Sequence, residues 1–531
     1  MATSATPLSK PAASTNLQRA IRVALALASL VAYAVLTLNL QPPPGSHSYG
    51  IEREPMAVAV SNLIYGARLG REFAGVRALL VTDSPVEDTL DLAAERRIET
   101  GELFEHALDG MGFGYPLFVT AAMRAFGIHT LALVAGFLCL EGLAAVVFLL
   151  RFHDDRALLV PLYFLALSAI QATPIGTDSF IISQVAVGGY RYFSLLAVIP
   201  ALHIALELID NGASPRLPRR IGPLAVQALV LTCAYAINAS VIYVTVPILL
   251  IVSAIAILRR RERRRVLLVL KEAGAVIAVA LVAYGIYYSV VLNAYKQSGY
   301  VGDLFWHRIF ISYGANPAWP FGTLNDVYSA CKRGIPRGLV AGIVDQNGHC
   351  VWNAYVLDRG LSSGYANSQL YSSEYERALR SAFFKVLVAY PRESIATFLY
   401  YKPIMIIHAL RALVRLDPEM GLLREIVLIG QAFLLVGFAF LGFACWPARR
   451  LAVMAGTIAL VGAGTFGLYL AAWSTVLTSS DLVCYLFMLI GLAAVAVIAA
   501  VHAAGNSVRF RVRQDERRNG TSGERFQPVH D

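Results

Sequence analysis

Ten apolar stretches limit what this chain can fold into more than any other feature of its sequence. A helix needs about 20 mostly apolar residues to cross the hydrocarbon core of a bilayer. Composition agrees with this reading, since 57% of the 531 residues are hydrophobic and 15% are charged, whereas soluble proteins carry about 25% charged residues. The sequence therefore predicts an all-α polytopic integral membrane protein with about ten transmembrane helices, at 21–40, 128–150, 157–173, 190–209, 221–238, 239–258, 268–292, 425–447, 451–475 and 482–503.

Clusters of Lys and Arg predict how these spans are oriented. The clusters precede the first span or follow the second, fourth, sixth, eighth and tenth, so all of them fall on one side; the densest is the run 259–265. Because short cytoplasmic loops are enriched in Lys and Arg, both termini are expected in the cytoplasm. The net charge of +10 is then a mark of topology, and no nucleic-acid partner is expected. Short inner loops and the lack of a eukaryotic targeting signal favour the inner membrane of a bacterium.

This topology divides the chain into regions. They are a cytoplasmic tail (1–20), a membrane domain (21–292) that includes a first outer loop (41–127), an outer loop or cap (293–424), C-terminal transmembrane helices (425–503) and a basic cytoplasmic tail (504–531). Within the cap, 393–414 is apolar but carries Lys402, Pro403 and Arg411, a pattern typical of an interfacial helix. The alternative is that this segment spans, in which case every later loop changes side.

Two cysteines lie in the predicted outer loops, Cys331 and Cys350, and both belong to the cap. Disulfides form and persist in oxidising compartments. We therefore predict one disulfide between them, against the alternative of two free thiols.

Acidic residues near the outer membrane face are the candidate catalytic groups. Glu52 and Glu54 follow the first span, Asp109 lies near the end of the same loop, and Asp178 lies in a short outer turn. A carboxylate held close to the membrane loses solvent, which raises its pKa toward neutrality and suits it to take a proton from a hydroxyl group. The alternative for each acid is a solvated loop carboxylate.

Cationic residues at the same face can hold a phosphate group. The candidates are Arg191, His307, Arg308, Lys402 and Arg411. Such groups stabilise the negative charge of a leaving phosphate, and Arg suits bidentate contact with phosphate better than Lys does. The alternative is that each anchors the protein to lipid headgroups.

The order of features over residues 21–210 resembles the GT-C superfamily of integral-membrane glycosyltransferases. The features are the acidic segment Tyr49–Glu54 directly after the first span, an amphipathic stretch around Asn62–Gly66, and Tyr115-Pro116-Leu117 ahead of the second span. The resemblance implies transfer of a sugar from a polyprenyl-phosphate donor to a hydroxyl of a glycan, lipid or protein acceptor on the extracytoplasmic face. The donor lies among the membrane lipids.

The resemblance also implies that an acidic residue in the second outer loop takes part in the reaction, and Asp178 is the candidate there. This sequence departs from the family at the first acidic motif, where Glu52-x-Glu54 stands in place of an Asp-containing pair. That departure leaves open which acid is the base and whether a divalent cation is used.

Glu141 supports an alternative function. It lies in the middle of the second predicted span, where an acid costs about 2.5–3.5 kcal/mol on insertion scales and is functional by default. A multi-pass transporter or lipid flippase can use such a residue as an intramembrane ionisable site. The sequence shows no matching interrupted helices in two halves, the usual sign of an inverted-repeat transporter.

Overall fold

The computed structural model describes residues 16–39, 114–172, 187, 189–210, 218–238, 241, 253–254, 263–298, 305–317, 345–370 and 372–404. Every element in this part of the chain is helical. The prediction of an all-α fold is confirmed for these residues.

Seven helices come from the predicted membrane domain. They are α1 (Asn16–Asn39), α2 (Gly114–Phe126), α3 (Thr130–Arg151), α4 (Leu159–Ala172), α5 (Val198–Asp210), α6 (Pro218–Ile237) and α7 (Arg263–Ser298). Short 3-10 helices lead into two of them, Asp155–Leu158 into α4 and Tyr190–Ala197 into α5. Six predicted spans lie wholly or mostly within the described residues, and each contains one of these helices other than α2.

Two helical segments of the described chain are long and apolar enough to cross a membrane, Ala20–Leu38 and Thr130–Arg151. Shorter apolar helical segments are Leu117–Phe126, Tyr192–Leu208, Ile221–Ile237 and Ala273–Ile286. The total of about ten spans stays a prediction.

Helix α3 lies at the centre of this group. It contacts α1, α2, α5 and α6, while α1 also packs on α4, and α6 packs on α7. The ring of Phe137 on α3 packs edge-on against Tyr192 and Phe193 of the 3-10 helix before α5, with centroid distances of 5.1 and 5.3 Å. These contacts hold the 3-10 helix and the start of α5 against α3.

Helix α2 was not expected from the sequence. It occupies the last residues of the predicted outer loop 41–127, yet it packs against α3 and α6. The chain reverses after it at Gly127, whose φ of 104° is a left-handed conformation that favours glycine. His129 then caps α3, its Nδ1 accepting a hydrogen bond from the Ala132 amide at 3.1 Å.

The described part of the cap is a second set of helices. They are α8 (Phe305–Ile311), a 3-10 turn (Ser312–Ala315), α9 (Asp345–Asp358), α10 (Ser363–Ser368), α11 (Ser373–Ala389), α12 (Pro391–Ala396) and a π-helical turn (Thr397–Tyr401). Their core contains Phe310, Trp352 and Tyr375, all fully buried. The Trp352 indole donates a hydrogen bond to the Ala366 carbonyl oxygen at 2.8 Å, so the aromatic residues of this region build a core of their own.

Candidate functional site

The predicted site residues are divided between the described and undescribed parts of the chain. Those that lie outside the described residues are Glu52, Glu54, Asp109, Asp178, Cys331 and Arg411. The backbone of Arg191 is described, in the 3-10 helix Tyr190–Ala197. His307, Arg308, Cys350 and Lys402 all belong to the described cap. The predictions for the acids therefore stay predictions, and the candidate phosphate ligands with described side chains are His307, Arg308 and Lys402.

Lys402 is buried completely, in the π-helical end of the described cap. Its exposed fraction is 0%, and within the described residues its Nζ atom has no hydrogen-bond partner. Nζ lies 5.0 Å from the centroid of the Phe398 ring. A charged group taken out of water without a partner is costly, and burial lowers the pKa of Lys402 to about 7. An anion bound beside Nζ would favour the charged form.

A π-helical turn places Lys402 at this position. The Lys402 amide donates a hydrogen bond to the Thr397 carbonyl oxygen, five residues earlier. In a regular α-helix the residue that bonds to Thr397 is Tyr401, four residues on. The wider turn therefore stacks Lys402 above the buried Thr397. Turns of this kind occur frequently at functional sites.

Side chains from the preceding 3-10 region hold the turn in place. The Asn316 amide donates to Thr397 Oγ1 at 3.2 Å, and the Ser394 hydroxyl donates to Tyr313 Oη at 3.2 Å. Thr397 Oγ1 in turn donates to the Glu393 carbonyl oxygen at 2.8 Å. Burial raises the pKa of Tyr313 to about 12, so its hydroxyl stays protonated. The segment that carries Lys402 is thus tied to the end of α8 at two points.

His307 lies in a second polar cluster of the cap. Its Nδ1 lies 2.6 Å from Tyr375 Oη, and its Nε2 lies 3.2 Å from Asp345 Oδ1. An ionised carboxylate only accepts hydrogen bonds, so the neutral imidazole carries its proton on Nε2 and accepts from Tyr375. The hydrogen bond from His307 lowers the pKa of Asp345. Both ring nitrogens of His307 therefore have partners.

Two neighbours fix the position of His307. Glu376 accepts hydrogen bonds from the Trp306 and His307 amides at 2.8 and 3.0 Å, and so caps the first turn of α8. Gly348 on α9 faces the ring, and a Cβ atom there would lie 2.7 Å from both His307 Nδ1 and Tyr375 Oη. Only glycine allows α9 to approach this closely. Arg308, the next residue along α8, is partly exposed.

Glu141 lies beside a tyrosine within the predicted membrane domain. It is fully buried, and the Tyr163 hydroxyl lies 2.5 Å from its Oε1 and 3.0 Å from the Leu195 carbonyl oxygen. Nearby, the hydroxyls of Tyr33 and Tyr192 lie 3.1 Å apart. Glu141 was identified from the sequence, but these tyrosines were missed. They could have been noticed as residues with a polar hydroxyl group in otherwise apolar segments.

Cys350 is disulfide-bonded, while Cys139 and Cys233 are free. Because Cys331 lies outside the described residues, its pairing with Cys350 stays a prediction. No three His, Cys, Asp or Glu side chains in the described ranges are placed to hold a metal ion.

Comparisons with known proteins add little. No family model and no curated protein matches the chain. Among solved structures, the crystal structure of ArnT from Cupriavidus metallidurans bound to undecaprenyl phosphate aligns with 93% of this chain and 79% of that one, at 15% identity and a TM-score of 0.34. A likeness at this level carries no argument about the site, and the resemblance to the GT-C superfamily stands on the sequence.

Proposed function

We propose that this chain is a membrane glycosyltransferase of the bacterial inner membrane. It moves a sugar from a polyprenyl-phosphate donor to an acceptor hydroxyl on the extracytoplasmic face. The sequence resemblance suggests the reaction, and one structural observation supports it most directly. Lys402 is a fully buried cation without a hydrogen-bond partner in the described residues, on the segment expected at the membrane interface.

A lipid phosphate explains this arrangement better than a structural role does. A buried ammonium contributes to stability only when an anion or other acceptors satisfy it. The donor cannot leave the membrane, so its phosphate enters from the bilayer side, where an interfacial segment lies. Lys402 then supplies a point charge, and Arg308, Arg191 and Arg411 are candidates for bidentate contact with the same group.

His307 is a weaker candidate for direct phosphate contact. Both of its ring nitrogens are hydrogen-bonded, to Tyr375 and Asp345. It has to give up one of these bonds to contact a phosphate. We therefore assign the phosphate to Lys402 and the arginines in the first place.

The acids of the outer loops perform the proton chemistry. Glu52 or Glu54 takes the proton of the acceptor hydroxyl as its oxygen attacks the anomeric carbon of the sugar. The bond from that carbon to the phosphate oxygen breaks, and the polyprenyl phosphate leaves with the bonding electrons. Asp109 and Asp178 are further candidates for the base. Lys402 and the arginines stabilise the charge that develops on the phosphate.

Binding of undecaprenyl phosphate to the purified full-length protein tests the role of Lys402. We expect Lys402→Met to weaken binding at least about tenfold, since a charge-assisted hydrogen bond contributes about 1.5–3 kcal/mol. Lys402→Arg keeps part of the affinity. The matched control is Lys271→Met, which removes an exposed lysine of α7 and leaves binding unchanged. Equal affinity in Lys402→Met and the unmodified protein rejects the assignment.

Product analysis in cells tests the transfer step. Cell-envelope glycans and lipids are compared by mass spectrometry between cells that produce the unmodified protein, Glu52→Gln, Glu54→Gln or Lys402→Met. We expect a product that depends on Lys402 and on at least one of the two glutamates. Full product from both glutamine variants removes Glu52 and Glu54 as the base.

A further inference from the structure

One surface of the described part of the cap is apolar and exposed. It is formed by the C-terminal half of α11 and by α12 with its π turn, and we call it the α11–α12 face. Its members are Phe384 (44% exposed), Val388 (80%), Ile395 (55%), Leu399 (69%) and Tyr400 (59%). The i, i+4 spacing of Phe384 with Val388 places this pair on one side of α11, and Ile395 and Leu399 lie on either side of the junction between α12 and the π turn.

The exposed charges around this face have one sign. The exposed charged residues of α11 and α12 are Arg377, Arg380, Lys385 and Arg392. Two of the three acids of the same helices are turned inward or paired, and the third, Glu393, is half-buried. Glu376 caps α8, and Glu374 accepts hydrogen bonds from Arg359 at 2.8 Å and from Tyr365 at 2.7 Å. The α11–α12 face is therefore an apolar patch with a cationic rim.

We propose that the α11–α12 face docks on the surface of the lipid bilayer, with its apolar side chains at the level of the acyl chains. Lys385 and Arg392, on either side of Val388, then contact anionic headgroups. Amphipathic surfaces bind membranes through buried apolar area together with attraction between basic residues and anionic lipids. The exposed Tyr400 suits the headgroup level, where Tyr is enriched.

Two observations favour the bilayer over other occupants. The cap directly follows a predicted span, because helix α7 ends at Ser298 and α8 begins at Phe305. A second copy of the chain fits poorly. In a symmetric dimer the same patch meets itself, which places two cationic rims against each other. The proposal extends the interfacial prediction for 393–414 to the C-terminal half of α11, and it does not depend on sugar transfer.

The test uses the full-length protein in nanodiscs, with a fluorescent noncanonical amino acid in place of Val388 or Leu399. Leu357 of α9, which is 42% exposed outside this face, is the matched control position. Nanodiscs contain phosphatidylcholine alone or with phosphatidylglycerol, and lipids with a nitroxide on the acyl chain serve as quenchers. Size-exclusion chromatography verifies that each labelled protein is folded.

We expect the lipid nitroxide to quench fluorescence at positions 388 and 399 but not at 357, and aqueous iodide to show the reverse order. Phosphatidylglycerol strengthens the lipid quenching, and Lys385→Gln with Arg392→Gln removes that increase, since each basic residue shifts docking onto an anionic surface roughly fivefold. Equal iodide quenching at all three positions overturns the proposal. Lipid quenching that is absent while copies cross-link through position 388 overturns it in favour of a dimer.

Discussion

The hydroxyl group of Tyr163 lies between Oε1 of Glu141 and the carbonyl oxygen of Leu195, at 2.5 and 3.0 Å. The carbonyl can only accept, and the hydroxyl has a single proton. If Tyr163 donates to Leu195, the other hydrogen bond needs a proton on Glu141. Both bonds are therefore satisfied together when Glu141 is a neutral carboxylic acid, which is also the form that a membrane interior favours.

We predict that Glu141→Gln is well tolerated, because a neutral amide can donate to Tyr163 in the same way. Its thermal stability should stay within about 1 kcal/mol of the unmodified protein, whereas Tyr163→Phe loses both bonds and costs about 1–3 kcal/mol. Thermal unfolding in detergent measures the stabilities. Infrared difference spectra should show a protonated carboxyl band that Glu141→Gln removes.

The same variant separates the two functions considered for this chain. A transporter or flippase that uses Glu141 as an ionisable site loses its activity in Glu141→Gln. A glycosyltransferase in which Glu141 only supports the 3-10 helix Tyr190–Ala197 keeps its product. The absence of a protonated carboxyl band contradicts our account of Glu141 whatever the activity.

Lys402→Met should stabilise the ligand-free protein. The variant removes a buried amino group that has no hydrogen-bond partner among the described residues, while a side chain of similar length remains, so we expect a gain of about 1–3 kcal/mol. Undecaprenyl phosphate should raise the unfolding temperature of the unmodified protein but not that of the variant, because a ligand stabilises only the state that binds it. A loss of stability in the ligand-free variant contradicts this account of Lys402.

Gly348→Ala should destabilise the cap. The added Cβ atom meets His307 Nδ1 and Tyr375 Oη at 2.7 Å, and forcing extra volume into a packed site costs about 1–3 kcal/mol. The matched control is Gly364→Ala in α10, where the nearest atom to an added Cβ is Ser362 Oγ at 3.7 Å. Thermal unfolding followed by tryptophan fluorescence compares them. Equal unfolding temperatures would falsify the close approach of α9 to His307.

Acid should weaken the cap through His349. Burial lowers the pKa of His349 from 6.5 to about 4. Between these values the unfolded chain binds a proton that the folded protein does not. The free energy of unfolding therefore decreases as the pH is lowered, by about 1.4 kcal/mol per pH unit for one proton. Unfolding temperatures measured between about pH 7 and pH 4.5 should fall, and fall less in His349→Gln.

Titration of Asp345 does not contribute to the loss of stability between about pH 7 and pH 4.5. Its pKa is lowered from 3.8 by the hydrogen bond from His307, so its contribution to stability is present above that value. It is lost only as the pH falls toward the lowered pKa. An equal slope in the unmodified protein and His349→Gln between about pH 7 and pH 4.5 therefore rejects the role of His349.

Apolar length was sufficient to predict where the described membrane helices lie. Residues 130–151 form one helix where the sequence predicted a span at 128–150, and α4 lies within 157–173. Helix α2 could not be predicted in the same way. It is too short to span, and its packing depends on the chain reversal at Gly127.

The surroundings of the site residues were harder to predict. His307 meets Asp345 and Tyr375, which are 38 and 68 residues away in sequence, and no local pattern links them. Lys402 was expected at the membrane interface as a phosphate ligand or a headgroup anchor. Its complete burial follows from a π turn that composition and periodicity do not reveal.

The π turn makes the chemistry of this segment depend on residue count. One residue fewer between Thr397 and Lys402 gives an ordinary α-helical turn, and each residue of such a helix advances by about 100°. A deletion at the exposed Leu399 would therefore preserve every polar group of the segment and still carry the lysine to the register now held by Tyr401. In homologous chains with a single-residue gap here, an alignment would still show the lysine as retained. The position that the lysine occupies above Thr397 should nevertheless lack its charge.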